Sequence, residues 1–317
     1  MDHGTYDVRD ARQRGLAFVG FSLLLSWTIW AGLWAPGVHR VPGAPTAIML
    51  LGLWGPAVAT KLTSALFRPR YATEQAPPED EPARPRDYLL AVVLAAACCL
   101  GALGLAVAIG KATWAWTWQP TGYSLVFVGS FNYLPFELYD VVNNIGLAAQ
   151  TIVAELGCML FAMALVAGAE IGFRGYLLPT VLRLDFRPWL AAIVVGAAWG
   201  VWWLPLAWRG NLTGFYPGEP LFGSAMLVAS STAWGSLLGW LFLRSRRLGP
   251  SMLAATFAAW SAWSLPQVST GYNLLLFAEA RSLSCASIVA ILSALLWWLA
   301  APARERCRAE QEKREGP

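Results

Sequence analysis

Long apolar runs separated by short polar connections dominate this chain of 317 residues. Eight runs are long enough, or nearly so, to cross a bilayer, which takes about 20 residues. The seventh of these runs is the shortest. The runs cover residues 16–36, 46–66, 88–110, 147–169, 189–208, 222–243, 250–265 and 282–300. The pattern predicts an all-α polytopic membrane protein in which about eight transmembrane helices form one bundle.

Lysine and arginine are distributed unequally among the connections. From the N-terminal tail to the C-terminal tail, successive connections carry three, one, four, one, three, one, three, one and five basic residues. High and low counts alternate without a break, which is the positive-inside pattern. The alternation supports eight spans and predicts that both termini are cytoplasmic. Because seven further runs follow it, the first run is interpreted as an uncleaved anchor of a multi-pass protein of the plasma (inner) membrane.

The polar segments define the expected organisation. Residues 1–15 and 303–317 are predicted to be cytoplasmic tails that flank a transmembrane bundle over 16–302. The proline-rich charged segment 68–87 is predicted to be a mobile cytoplasmic loop. Residues 111–146 form a long external connection with amphipathic or interfacial pieces.

Composition narrows the function classes. Hydrophobic residues make up 57% of the chain and charged residues 13%, about half the charged share of a soluble domain. The lipid bilayer is therefore the predicted environment, and the net charge of +4 includes no basic domain that would bind nucleic acid. No pair among Cys98, Cys99, Cys158, Cys285 and Cys307 has a metal-ligand spacing, and no disulfide framework is expected.

The stretch GAEIGFRGYLLP, residues 168–179, places two charged residues at the end of the fourth run. Glu170 and Arg174 are four residues apart, so they share one face of a helix and can pair. An ionisable residue at membrane depth indicates a functional site, and a buried salt bridge that orients the helix end is an equally good interpretation. Glu155 is interpreted as a single hydrogen-bonded polar residue inside the bundle. Asp185 with its flanking arginines is interpreted as a cytoplasmic turn.

Three stretches resemble the motifs of the CPBP intramembrane proteases, which include the CAAX prenyl endopeptidases and bacteriocin-processing proteins. The first motif of that family reads Glu-Glu-x-x-x-Arg followed by Gly-Tyr-Leu, and GAEIGFRGYLLP is similar to it from Glu170 onward. AAWGVWWLPLAW at 197–208 is similar to the second, in which an aromatic residue precedes a histidine by four positions. LGPSMLAATFAAWSAWS at 248–264 has the place of the third, His-x-x-x-Asn. The resemblance covers roughly 147–265.

The catalytic positions of that family are substituted in this chain. The first glutamate, the two histidines and the asparagine correspond to Ala169, Trp203, Thr256 and Trp260. None of these side chains is a base near neutral pH. The only histidines of the chain are His3 and His39, and neither lies in a predicted span. A zinc site of histidine and carboxylate ligands therefore cannot be assembled at membrane depth, and no cofactor is expected.

The resemblance and the substitutions together predict a pseudoprotease. Such a protein keeps the fold and binds a membrane peptide, a lipidated tail or a partner protein without hydrolysing it. Two alternatives stay open at this stage. One is an active, divergent endopeptidase that uses Glu170 as its base together with Thr256. The other is a small-solute transporter, although no inverted repeat marks the sequence.

Overall fold

Helices account for nearly all of the structure, a computed structural model that describes residues 3–67, 84–108, 113–114, 124–125, 129–130, 159–160, 162–208, 220–264, 269–270 and 283–314. The helices are α1 (His3–Ala31), α2 (Ala44–Leu53), α3 (Gly55–Leu66), α4 (Pro85–Ala108), α5 (Ala162–Leu182), α6 (Pro188–Trp202), α7 (Leu204–Trp208), α8 (Pro220–Ser245), α9 (Leu248–Ser264) and α10 (Leu283–Arg314). Short 3₁₀ turns follow α1 at Gly32–Trp34 and Val38–Arg40. Two antiparallel pairs of two-residue strands complete the described elements: β1 (Thr113–Trp114) with β4 (Ser269–Thr270), and β2 (Ser124–Leu125) with β3 (Gly129–Ser130).

The predicted all-α polytopic class is confirmed. Among the described residues, five apolar segments are long enough to cross a membrane: Val8–Trp34, Ala47–Leu66, Pro85–Ala102, Ala162–Leu182 and Leu221–Ser245. Three shorter apolar helices cover Pro188–Trp202, Leu248–Ala258 and Cys285–Ala300. Each of the eight apolar runs therefore has a helical counterpart, while the number that span the bilayer and the side of each terminus remain predictions.

Several sequence interpretations fall outside the described part of the chain. Glu155, most of the loop at 68–87 and most of the connection at 111–146 belong to this group. The side chains of both histidines, of Cys158 and of Cys307 belong to it as well.

The second apolar run is a broken helix because of Pro56, and α1 stabilises the break. Pro56 has no N–H to donate to the Gly52 carbonyl, four residues earlier. The Ser26 hydroxyl of α1 donates to this oxygen instead, at 2.8 Å. The break lies against α5, where a Cβ atom at Gly168 would stand 2.7 Å from the Leu53 carbonyl oxygen. The glycine therefore allows α5 to approach the backbone of the kink.

Glycines on both partners bring α6 and α8 into backbone contact. A Cβ atom at Gly196 would lie 2.8 Å from the Thr232 carbonyl oxygen, and one at Gly200 would lie 2.8 Å from Val228 Cα. A Cβ atom at Gly235 would overlap Gly196. This small-residue pattern, with glycines four apart, is a common way to pack helices in membranes. Because the residue order runs in opposite directions on the two helices, α6 and α8 are antiparallel.

One predicted boundary is wrong. The fourth apolar run was expected to end at residue 169, yet α5 continues to Leu182 and places the Glu170 and Arg174 pair inside the helix. The prediction treated charged residues as the start of a connection, whereas two charges that neutralise each other can stay buried. The connection that follows then contains only Arg183 and Arg187, and two basic residues still exceed the single ones on either side.

The end of α5 is a tight turn. The Leu184 N–H donates to the Val181 carbonyl at 3.0 Å. Asp185 has φ 57°, in the left-handed region that often terminates a helix. Aspartate tolerates this conformation better than most residues with a Cβ atom. The stretch around Asp185 is therefore a turn, as its sequence indicated, and Pro188 starts the next helix directly afterwards.

Candidate functional site

Glu170 and Arg174 form a fully buried ion pair within α5. Arg174 Nη1 donates to Glu170 Oε1 at 2.8 Å, and both side chains are 0% exposed. The helix ends at Leu182, so the pair lies roughly 12 to 18 Å from that end at the usual rise per residue. At this depth two opposite charges in direct contact are far less costly than either charge alone.

The helix is wider than normal where it carries the pair. Residues Ile171–Leu177 form a π-helical turn, and the Leu178 N–H donates to the Phe173 carbonyl, five residues back. Pro179 has no N–H for the Gly175 carbonyl, so the regular hydrogen-bond ladder cannot continue through this point. Single π turns inside α-helices are rare and occur often at functional sites. Here the turn directly follows Glu170 and contains Arg174.

Arg174 of α5 lies against two other helices, α6 and α8. Its guanidinium carbon lies 4.4 Å from the ring centroid of Trp199 on α6, within the range of a cation–π interaction. A Cβ atom at Gly235 on α8 would lie 3.5 Å from Arg174 Nη2, so the glycine leaves room for the guanidinium. Arg174 Nε and Nη2 have no hydrogen-bond partner among the described residues. Arg174 therefore ties α5 to the α6 and α8 pair mainly through its charge and its flat face.

Glu170 faces the start of α9. The Ser251 side chain is close enough to interact with the Glu170 carboxylate, although the Ser251 hydroxyl donates to the Leu248 carbonyl at 2.9 Å. Glu170 Oε2 has no hydrogen-bond partner among the described residues. One carboxylate oxygen is therefore held by Arg174, and the other faces the core.

Trp203 is part of an aromatic cluster between α1 and α6. Its ring stacks on Trp30 with centroids 5.9 Å apart and planes at 11°, and it meets Trp202 edge-on at 4.6 Å. Trp199 approaches Trp203 at 6.4 Å. The Trp27 indole of α1 fixes the end of α6 by donating to the Trp202 carbonyl at 3.1 Å. Indole rings therefore occupy the place where the resemblance expects a histidine.

The other substituted positions also lack catalytic groups. Ala169 is 3% exposed and carries only a methyl group beside Glu170. Thr256 of α9 is 0% exposed, and its hydroxyl donates to the Met252 carbonyl of the previous turn at 2.8 Å. Trp260 also belongs to α9, with its side chain outside the described part of the structure. The fold brings the three motif segments into contact, since the π-helical turn touches both α6 and α9.

The described geometry limits the chemistry available at this position. Within the described ranges, no three His, Cys, Asp or Glu side chains are placed to hold a metal ion. Glu170 is the carboxylate of the motif, and a base must be free to take a proton from water. Its bond to Arg174 occupies one of the two carboxylate oxygens.

Comparison with known families agrees with the motif geometry. The apolar helices define a multi-pass membrane protein. Residues 152–263 match the family model described as type II CAAX prenyl endopeptidase Rce1-like. This region contains the ion pair, Trp199, Trp202, Trp203 and Thr256, so the part of the chain that resembles the CPBP proteases is also the part that matches the family model. No curated protein matches the chain.

Sequence reasoning missed the contribution of the first helix. Trp30 and Phe18 are fully buried and pack against the site residues of α5 and α6, although both precede the matched region. Nothing in their spacing distinguishes them from the other apolar residues of a transmembrane helix. Ser251 was missed too, because a serine near a helix start is usually explained by local capping.

Proposed function

We propose that this protein is a pseudoprotease of the plasma membrane that binds a membrane peptide, or the membrane segment of a partner protein, without hydrolysing it. The observation that supports this most directly is the state of Trp203. Its ring is locked between Trp30 and Trp202 where the family's reaction needs a histidine. An indole N–H can donate a hydrogen bond, but it has no lone pair with which to accept a proton or bind a metal.

The neighbouring positions support the same proposal. The Thr256 hydroxyl donates a hydrogen bond within its own helix, and Ala169 has no functional group. Even one missing member of a catalytic unit costs several orders of magnitude in rate. Four substitutions at once would leave binding as the useful property of the fold.

The experiment combines a cleavage assay with a binding assay on the full-length protein in lipid nanodiscs. A pool of prenylated and unmodified membrane peptides is incubated with the wild type, and products are identified by mass spectrometry. Photo-crosslinking of the same peptides reports binding. We expect crosslinked peptide and no cleavage product. Plasma-membrane fractionation of the tagged protein tests the location.

A second candidate, the divergent endopeptidase, rests on one observation. Glu170 Oε2 has no partner among the described residues and could accept a proton from a water molecule. Cleavage by the wild type that disappears in Glu170→Gln would establish this alternative and refute the pseudoprotease. Because Glu170→Gln also breaks the ion pair, the variant must first be shown to remain folded by its crosslinking to the same peptides.

A further inference from the structure

A second polar cluster lies between α1 and α5, away from the ion pair and close to the end of α5. Phe18 of α1 packs on the Tyr176 ring with centroids 5.3 Å apart. A Cβ atom at Gly15 would lie 3.8 Å from Thr180 Cγ2. The two helices therefore run antiparallel here and bring the start of α1 beside the end of α5.

Two arginines extend this contact. Arg14 precedes Phe18 by four residues, so it lies on the same face of α1 one turn nearer the helix start. Arg183 follows Tyr176 by seven residues, which returns it to nearly the same face of α5 roughly 10 Å further on. We call the set formed by Arg14, Tyr176 and Arg183 the basic seam.

The Tyr176 hydroxyl lies inside the basic seam without a protein partner among the described residues. The oxygen is buried, and Arg14, Asp10 and Arg183 are the charged groups that act on it electrostatically. A buried hydroxyl without a partner is costly. Its O–H can donate to an acceptor placed between the two arginines.

The charges of the basic seam favour an anion. Arg14 is 12% exposed and forms an ion pair with Asp10, in which its Nε lies 2.7 Å from Asp10 Oδ2. Arg183 forms no ion pair with any described residue and is exposed. Two arginines against one aspartate leave one uncompensated positive charge. A phosphodiester carries one negative charge and two free oxygens, which matches one guanidinium edge and one hydroxyl.

The apolar surroundings favour a lipid over a soluble phosphate. Leu16 is 65% exposed two residues after Arg14, and Phe186 is 39% exposed three residues after Arg183. Exposed apolar side chains next to arginines at the end of a membrane helix are typical of the lipid interface. Basic pockets between transmembrane helices on the cytoplasmic side bind anionic headgroups.

We propose that the basic seam is a binding site for the phosphodiester headgroup of one anionic phospholipid, held by Arg14, Arg183 and the Tyr176 hydroxyl. The acyl chains would lie along the exposed apolar surface beside Leu16. The proposal is independent of whether the protein hydrolyses or binds peptides, since it involves none of the substituted catalytic positions.

The experiment measures retention of phosphatidylglycerol by the full-length protein, using native mass spectrometry after titration against a phosphatidylcholine background. Tyr176→Phe removes only the hydroxyl, and we expect about fivefold weaker binding from the loss of one hydrogen bond. Arg14→Gln should weaken binding about tenfold, because a charge-assisted bond is the stronger kind. Size-exclusion profiles and tryptophan fluorescence check that both variants are folded.

Two matched variants separate a built site from general attraction to a charged surface. Arg12→Gln removes the same charge from the same helix end, but two residues away on the opposite face, and should change binding less than twofold. Asp10→Asn should strengthen binding, because Asp10 competes with the phosphate for Arg14. An effect of Arg12→Gln as large as that of Arg14→Gln, or weaker binding by Asp10→Asn, would overturn the proposal.

A final arm tests the source of the phosphate. Inorganic phosphate is added to the protein in nanodiscs of phosphatidylcholine alone, and thermal protection is compared with that given by phosphatidylglycerol. Protection by phosphatidylglycerol that inorganic phosphate does not reproduce supports a lipid site. Equal protection by both, lost in Tyr176→Phe, would assign the basic seam to a soluble anion and refute the lipid.

Discussion

Substitution of Glu170 and Arg174 tests quantitatively whether their ion pair is shielded from water. With a contact of 2.8 Å and no solvent exposure on either side, loss of one partner leaves a buried charge. Such a loss costs about 3–5 kcal/mol in the free energy of unfolding. Glu170→Gln should fall at the lower end, near 3 kcal/mol, because the Trp199 ring still contributes up to about 2 kcal/mol to Arg174. The cost of Arg174→Met should fall at the upper end, since it leaves the buried Glu170 carboxylate without its partner.

A double variant at Glu170 and Arg174 tests whether these losses of stability come from leaving one buried charge unpaired. Replacing both charged groups removes the buried charge altogether, and such replacements in other proteins are often neutral. Glu170→Gln with Arg174→Met should therefore cost no more than the larger single change. The coupling energy of the cycle should then be at least about 3 kcal/mol in magnitude, the upper limit usual for contacting residues.

Equilibrium unfolding in mixed micelles, followed by tryptophan fluorescence as SDS is raised, measures all four proteins of the cycle. The chain contains its own control, since Asp10 and Arg14 have the same i, i+4 spacing and a similar contact of 2.7 Å. That pair is 42% and 12% exposed, and Asp10→Asn should cost only about 0.5 kcal/mol. If Glu170→Gln costs no more than Asp10→Asn, water reaches the buried pair and the reasoning fails.

Three further changes test the packing around the site. Gly235→Val should lower the free energy of unfolding by about 3 kcal/mol or more, because its Cβ atom would overlap Gly196 and push α8 away from α6. Gly20→Ala, with no atom within 4 Å of the new methyl group, is the neutral control. Trp199→Leu should cost about 1–2 kcal/mol through the lost cation–π contact, measured in the same SDS titration, and an unchanged midpoint would show that the ring does not hold Arg174. Ser236→Ala removes the oxygen that accepts hydrogen bonds from the Ser293 hydroxyl at 2.8 Å and the Trp297 indole at 3.1 Å. This change should lower the free energy of unfolding by about 1 kcal/mol. A loss of less than about 0.3 kcal/mol, on the order of surface substitutions, would show that these bonds contribute nothing.

The overall class could be predicted from sequence because it depends on a property summed along the chain. Twenty apolar residues must lie in lipid whatever their partners are. The end of the fourth helix could not be predicted in this way. It depends on a pairwise term, the neutralisation of Glu170 by Arg174, which allows charged residues to stay inside α5. Hydropathy assigns each residue a value of its own and contains no such term.

The aromatic wall of the site depends on contacts between distant parts of the chain. Trp202 and Trp30 are 172 positions apart in the sequence, yet their centroids are 4.9 Å apart in the structure. Periodicity predicts that a helix has a buried face, but not which of its partners will cover that face. The motif resemblance located Trp203 and left its surroundings open, and these surroundings bear most directly on the proposed function.

The ion pair and the catalytic positions differ in how easily each can change. Either member of the pair is costly to replace alone, so a chain that no longer hydrolyses anything would still keep Glu170 and Arg174. Ala169 and Thr256 take part in no ion pair in the described structure, and substitution there strands no charge. Stability alone therefore gives a reason to keep Glu170 that does not require hydrolysis. A direct consequence is testable: if the pair serves stability alone, the folded double variant should still crosslink to the peptides that the wild type binds, and loss of crosslinking would assign Glu170 or Arg174 to the binding site.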